Sequence, residues 1–579
     1  MGQPDKYELV AELARRRGFF WPSFEIYGGV SGFIDYGPLG IALRRKIEQK
    51  WRSFFVDGER LLEIDTPIIV PAKIFQISGH VDHFKDPVVT CTSCSRAFRA
   101  DHLLKEAGLK IDLAKLDELA NALKERMVRC PECGGKLSEL EQASTMFKTT
   151  IGTMGDSVGY GRPETAQGMF VDFRRLHELS RGRIPLGIAQ IGRGLRNEIS
   201  PRQGPVRLRE FNMMEFEFFF DPEDPQCTRF SEVENEQLSL VPTSRREKGT
   251  DDPVIVDAGT AVSQGYIINK WLAYFMVLSK RFVSELGIAE DRQRFHEKLP
   301  EERAHYARQT YDHEVLLDRW GWVELAGHAY RGDFDLSAHM SGSGVDLRVF
   351  KPYEEPKVSR VRIVKANMPA IARDFRNETS RIAQLISSMD PDASEKALKL
   401  QGYVQVEKYR LRPDHISILV DVREEKGKRF IPHVVEPSFG ADRILYATME
   451  HAYARREDRL VLQLPRNIAP IDVIVLPLMP RDGLREKASE VHLNLRQNKL
   501  NADYDESGSV GRRYARADEI GVPLAVTVDY DTLENDTVTL RDRDSWNQVR
   551  AECNKLPQLV HEFLEGKRDF VELGVAVTP

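Results

Sequence analysis

Cysteine is scarce: six in 579 residues, too few for a secreted disulfide scaffold. No apolar run approaches the roughly 20 residues of a membrane-spanning helix. The N-terminal segment MGQPDKYELVAELARRRGFF lacks the apolar stretch of a secretory leader, and Lys6 stands where a myristoylation signal needs Ser or Thr. A cytoplasmic protein with no membrane partner is the expectation. Basic charge is short as well: 83 Lys and Arg against 89 Asp and Glu leave a net charge of −6. That excludes blanket affinity for phosphate backbones, so any RNA contact must use local basic patches. Neither GxxxxGK[ST] nor GxGxxG after a strand occurs, and the P-loop and Rossmann readings fall away. Internal repeats and low-complexity linkers are missing too.

What remains is a soluble composition, 41% apolar and 30% charged, on a chain long enough for roughly three or four domains. A helical opening leads through the glycine- and aromatic-rich GFFWPSFEIYGGVSGFIDYGPLG to IALRRKIEQKWRSFFV, where Ile41, Leu43, Ile47, Trp51, Phe54 and Phe55 form a helical stripe. A strand, LLEIDTPIIVP, is predicted next. Between Cys94 and Cys130, Leu109, Leu113, Leu116, Ala120, Leu123 and Met127 alternate steps of four and three, predicting one helix inside a compact insertion over 87–146. Residues 185–220 read as strand, loop, strand, with RNEISPRQGPVRL as the loop. Residues 351–430 mix VSRVRIV, SRIAQLISSM and turn signals, which suggests a second inserted module. The last stretch, from about 467, alternates strand and helix as an α/β domain.

In the strand FNMMEFEFFF, alternation puts Phe211, Met213, Glu215, Glu217 and Phe219 on one face. Carboxylates among apolar neighbours need a cation, either a substrate ammonium or an internal arginine. Upstream, Arg196 and Glu198 in LRNEIS are followed by Arg207 and Arg209 in VRLREF. Across a hairpin such a cluster suits a polyanion such as ATP, or simply a solvated basic surface.

The hairpin and EPSFGADRI closely resemble motifs 2 and 3 of class II aminoacyl-tRNA synthetases, and the helix-strand unit ending at Pro67 and Pro71 resembles motif 1. GRPETAQGMF, LRNEISPRQG, REFNMMEFEFF, EPSFGADR and GSVGRRYARADEIGVP are similar to the glycyl-tRNA synthetases of the archaeal and eukaryotic type, over nearly the whole chain. The resemblance implies an α+β fold: a class II antiparallel sheet flanked by helices, a zinc-ribbon-like insertion, a second inserted module and a C-terminal α/β anticodon-binding domain. The catalytic core would comprise 1–86 with motif 1, 147–350 with motif 2 and 431–466 with motif 3. Segments 87–146 and 351–430 would be insertions, the second approaching the tRNA acceptor stem, and 467–579 the anticodon-binding domain.

Carried over by residue, the resemblance implies that Arg196 and Arg443 are catalytic. ATP would be held by Arg196, Asn197, Glu198, the segment Val206, Arg207, Leu208 and Arg209, and by Phe211, Glu324, Leu325, Gly440 and Arg443. Glycine would meet Glu164, Phe211, Glu215, Glu436 and Ser438, with Arg99 nearby. Glu324 with Glu436 would help to place Mg²⁺. The partners implied are tRNA-Gly, ATP and a second copy in a homodimer. No separate editing domain is expected, because every competing amino acid is larger than glycine. A class II synthetase for another small amino acid and a non-catalytic nucleic-acid-binding descendant are the alternatives. The first is opposed by RPETAQ and EPSFG, the second by the presence of Arg196, Arg209 and Arg443.

Independently of the resemblance, Cys91, Cys94, Cys130 and Cys133 in CTSC and CPECGG have the paired spacing of a structural zinc site, free thiols being the other reading. In the C-terminal domain, Arg512, Arg513, Arg516, Arg541 and Arg543 concentrate positive charge; a solvated helix face or a tRNA contact would both account for them.

Overall fold

The computed structural model describes residues 5–108, 116–155, 157–201 and 203–577. The chain forms two compact units, Met1–Leu347 with Pro432–Pro579, and Arg348–Ile431. None of the described helices is long and apolar enough to cross a membrane.

A nine-stranded, largely antiparallel sheet organises the first unit. Its strands are β1 (Leu62–Glu63), β2 (Leu186–Leu195), β3 (Glu210–Phe220), β4 (Gln237–Val241), β5 (Val254–Asp257), β6 (Gln293–Glu297), β7 (Gln309–Leu317), β8 (Gly321–Gly332) and β9 (His433–Gly440). They lie in the order β5-β4-β6-β7-β8-β9-β3-β2-β1. Alternation along β3 sorts its side chains. Phe216 and Phe218 enter an aromatic core against the helix Lys270–Glu285, with Phe216–Phe275 at 4.9 Å and Phe218–Trp271 at 4.4 Å between ring centroids. Asn269 caps that helix by accepting from the Leu272 N–H. Phe219 turns the other way, to Phe170 and Phe173 of the helix Ala166–Leu179. The face bearing Glu215 and Glu217 is therefore opposite the aromatic core.

The stripe around Trp51 forms the helix Pro38–Trp51, continued by a wider turn over Arg52–Asp57 that buries Phe55. LLEIDTPIIVP does not make one strand. Leu62–Glu63 pairs in parallel with β2, whereas Ile69–Pro71 joins a separate three-stranded sheet with Ser157–Gly161 and Lys148–Ile151. Between them Pro67 has no N–H to donate, and the Thr66 carbonyl instead accepts from Arg162 Nη1 at 2.7 Å.

Within residues 87–146 a helix covers Leu116–Glu125, while Leu109 and Leu113 of the expected seam lie outside the described residues. Met127 falls past the helix end, left-handed at φ 47° and 77% exposed; Leu123 of the expected seam packs on the small core, and Leu119, off that seam, is the buried residue of the helix. The C-terminal part is a six-stranded sheet whose parallel strands Ala502–Tyr504, Val473–Pro477 and Leu524–Val528 continue into antiparallel Thr537–Asp542, Gln548–Glu552 and Val575–Ala576. Within the second unit, a long antiparallel ribbon of Val349–Ala366 and Ile416–Phe430 carries a small core of Ile371, Ile382, Ile386 and Leu411.

Candidate active site

The hairpin β2–β3 runs in register from Leu186↔Phe219 to Leu195↔Glu210, and Arg196 N–H donates to the Arg209 carbonyl at 2.8 Å to begin the loop. At this end each arginine is tethered by part of its guanidinium. Arg207 grips Glu198 Oε2 through Nε at 2.8 Å and Nη2 at 2.6 Å. Arg209 donates to the carbonyls of Glu198 at 3.1 Å and Ser31 at 2.8 Å. Arg196 donates Nε to the Pro163 carbonyl at 3.1 Å and lies between the rings of Phe84 and Phe211, 5.6 and 5.3 Å from their centroids. One edge of its guanidinium is fixed, and the other borders a cavity of about 530 Å³.

Arg443 projects from the first turn of the helix Ala441–Ala452. It donates Nε to the Val206 carbonyl at 2.8 Å, and Nη1 to the Glu324 carbonyl at 2.8 Å and to Glu324 Oε2 at 3.3 Å. Burial works to raise the Glu324 carboxyl, but Lys298, Arg443 and Arg196 outweigh it and hold it at about 2. Lys298 Nζ sits 3.1 Å from Asp312, and burial together with the Glu324 charge pushes the Asp312 carboxyl up to about 8.

The opposite end is acidic. Glu215 Oε2 accepts from the Thr165 N–H at 2.9 Å and from the Thr165 hydroxyl, and it faces Ser438 across the β3–β9 register. Glu164 Oε1 lies 3.0 Å from His80 Nε2, and Ser78 Oγ holds the other ring nitrogen at 2.8 Å. Burial opposes ionisation of Glu164, yet His80, Arg331 and Arg196 outweigh it and keep the carboxyl well below its usual range. Arg331 is fully buried; it donates to Glu436 Oε1 at 2.7 Å and, through two nitrogens, to Asp335 at 2.8 and 2.9 Å.

Of the residues expected at the site, Glu164, Arg196, Glu198, Val206, Arg207, Leu208, Phe211, Glu215, Glu324, Leu325, Glu436, Ser438, Gly440 and Arg443 line this cavity together. Asn197 and Arg209 stand behind it in the hairpin, Asn197 donating its N–H to the Thr145 carbonyl at 2.7 Å. Arg99 is also outside the lining, held by Asp101 at 2.8 Å and Asp86 at 3.3 Å. Glu324 and Glu436 both line this cavity, Glu324 beside Arg443 and Glu436 on Arg331. Arg331, His80, Lys298 and Asp312 are the contributors that sequence reasoning missed.

The four cysteines of the insertion come together, all sulfurs within 4.8 Å of one another. Each pair sits on a matching turn: Ser95 N–H donates to the Cys91 carbonyl and Gly134 N–H to the Cys130 carbonyl, both at 2.9 Å, with Ser95 and Gly134 left-handed at φ 58° and 69°. The arrangement could hold a metal ion.

The basic C-terminal cluster is largely turned inward, which corrects its reading as one charged surface. Arg513, Arg541 and Arg543 are only 1%, 4% and 2% exposed. Arg541 is bidentate on Asp518 at 2.9 and 3.0 Å, and Arg513 and Arg543 donate to backbone carbonyls. Arg512 alone of the five is exposed.

An antiparallel sheet carrying an arginine hairpin, a strand-to-helix arginine and a separate α/β domain is the architecture of a class II aminoacyl-tRNA synthetase. A family model described as an anticodon binding domain matches residues 472–563. Over 99% of its length the chain is 48% identical to the whole of a glycine–tRNA ligase of Aeropyrum pernix. It is 46% identical over 98% of its length to that of Thermococcus gammatolerans, and 45% over 98% to that of Pyrococcus horikoshii, each matched along its full length. The chain belongs to the glycine–tRNA ligase family.

Proposed function

We propose that the two ends of the cavity divide the substrates of a glycine–tRNA ligase between them: ATP over the arginine hairpin, glycine over the carboxylates. The observation that carries this is one cavity with Arg207 and Arg443 at one end, Glu164, Glu215 and Glu436 at the other, and Arg196 between them. In this reading adenine stacks on Phe211, and Arg196, midway, meets both the α-phosphate and the glycine carboxylate. Arg443 holds the far phosphates, with Mg²⁺ near Glu324 and Asp312. The ammonium is taken by Glu164, Glu215 and Ser438, with Glu436 lining the same end. Glycine offers no side chain to grip, so its two charged groups must carry recognition while crowding rejects larger competitors.

The glycine carboxylate attacks the α-phosphorus, giving glycyl-adenylate and pyrophosphate; the terminal ribose hydroxyl of tRNA then attacks the acyl carbon, the acyl–phosphate bond breaks and AMP leaves. Fixed arginines supply position and charge, and no protein nucleophile is needed. Exchange of pyrophosphate into ATP, measured with each of the twenty amino acids, tests the reading: glycine alone should stimulate it. Stimulation by another small amino acid, or by none, would overturn it.

The cysteine cluster is proposed to hold structural zinc. Four thiolates at about 2.3 Å from zinc stand roughly 3.8 Å apart, against 3.5 Å for Cys91–Cys133 and 3.7 Å for Cys94–Cys130. Four sulfurs leave no open position, which makes the ion a staple for the insertion rather than a catalyst. One equivalent of zinc by elemental analysis is the expected result. The segments 1–86, 147–350 and 431–466 are read as the catalytic core, 87–146 and 351–430 as insertions, and 467–579 as the module for the tRNA anticodon, all in the cytoplasm. Ile68, Ile69, Val158 and Val171 stand exposed on the small sheet and on the helix Ala166–Leu179; a second copy of the chain covering them is the proposed homodimer, which light scattering would test.

A further inference from the structure

The sheet face at the acidic end carries one carboxylate more than glycine recognition uses. Glu217 follows Glu215 by two residues on β3, hence on the same face. The register that pairs Glu215 with Ser438 and Phe218 with Val435 puts Glu217 directly across from Glu436. Directly opposed residues on antiparallel neighbours have Cβ atoms about 4.5–5.5 Å apart, and like charges there repel. Glu217 is 0% exposed, neither of its oxygens has a hydrogen-bond partner, and it lies behind the cavity wall.

The groups around it are few. Arg331 on β8 spends three of its five N–H groups on Asp335 and Glu436, and its Nη2 lies 3.7 Å from Glu164. Asp335, from the helix Phe334–Ser343, and Glu215 on its own strand add negative charge. Across β2 the opposed residue is Ile188, and the covering helix Ala166–Leu179 presents Phe170, Phe173 and Gln167 to this face. Two opposed buried carboxyls served by one occupied guanidinium do not both ionise.

We propose that Glu217 is a positioning residue held as a neutral carboxylic acid, which keeps the one proton of the Glu217–Glu436 pair and donates it as a hydrogen bond to Glu436. Glu436 is the charged member because Arg331 Nη1 is bonded to it at 2.7 Å. Burial, and after it the Glu436 charge, pushes the Glu217 carboxyl well above its usual range; burial raises the Glu436 carboxyl too, but there the Arg331 guanidinium opposes it at bonding distance, a partner that Glu217 lacks. Glu436 is thereby clamped from two sides, by Arg331 and by the Glu217 O–H, and held toward the glycine ammonium. This rests on the placement of glycine at the acidic end.

The infrared difference spectrum of the free full-length chain, wild type minus Glu217→Gln at neutral pH, tests the proton directly. One protonated-carboxyl C=O band, shifted in D₂O, should be present in the wild type and missing from the variant. Because Gln keeps both the shape and a donor, its KM for glycine in ATP–pyrophosphate exchange should stay within about threefold, whereas Glu217→Ala should raise KM by about tenfold with kcat little changed. No difference band, or a Gln variant as impaired in KM as the Ala variant, would overturn the proposal. If the Ala variant fails to fold, the band and the Gln KM still decide. Wild-type exchange indifferent to glycine would sink the placement of the substrate instead, without touching the band.

Discussion

Around the cavity, Arg196 and Arg443 are anchored by some nitrogens to carbonyls or Glu324 while another edge borders open space. In the C-terminal domain, Arg541 and Arg543 carry the same side chain, yet Asp518, Asp544 and the carbonyls of Gly521 and Leu464 take up their donors. The first arrangement is preorganised to receive an anion; the second staples loops together. Arginine density along a sequence therefore says little about ligands until the acceptors already present in the fold are counted. A guanidinium has five donors in a rigid fork, and a site exists where some remain unspent.

This contrast can be broken most directly at Arg196. Arg196→Ala should lower glycine-dependent ATP–pyrophosphate exchange by about 1,000-fold or more, as expected when a donor to developing charge is removed. Its melting temperature should hardly change; near-normal exchange would show that the cavity's open donors carry no chemistry. Arg541→Met should do the reverse. It strands the 1%-exposed Asp518, and breaking a buried pair costs about 3–5 kcal/mol. Calorimetry should show an earlier transition, with exchange at permissive temperature nearly unchanged.

How far the site was readable followed from range. The hairpin Leu186–Phe220 and the shared face of Glu215 and Glu217 are local: strand alternation and turn residues reveal them. Arg331 was missed although it sits in the same sheet. Its register shifts between Tyr330 and Gly332, so strict alternation along β8 could not say which face it takes. His80 belongs to a four-residue helix too short to show periodicity, and its partner Glu164 comes from a distant segment. The inward turn of Arg513 and Arg543 was unreadable for the same reason, since their acceptors are backbone carbonyls of other loops, which no side-chain pattern encodes.

A smaller effect sharpens the cavity side of the comparison. Asp312 has a folded value of about 8 against an ordinary value near 3.8, so protonation favours the folded state. Its contribution to stability is complete below the ordinary value and is lost as pH rises through about 8. Over the same rise the phosphate end gains a carboxylate beside Glu324. The Mg²⁺ concentration for half-maximal exchange should therefore fall between about pH 7 and 9 in the wild type, and Asp312→Asn should flatten that change. An unaltered pH dependence in the variant would exclude Asp312 as its source.

The smallest effect separates the two kinds of arginine within one helix, Val510–Glu519. Arg513 is buried there, and Arg516 is bound to Asp505 at 2.9 Å through Nε. Arg512, exposed on the same helix, is the member of the cluster free to meet a phosphate. Arg512→Ala should weaken tRNA binding modestly and reduce the slope of log affinity against log salt by about 0.7–0.9, the loss of one neutralised phosphate. Stability and exchange should stay at wild-type values, because no packing or cavity wall is touched. If the slope does not change, RNA passes elsewhere on the domain; if Arg541→Met changes the slope without lowering stability, the division between stapling and binding arginines fails.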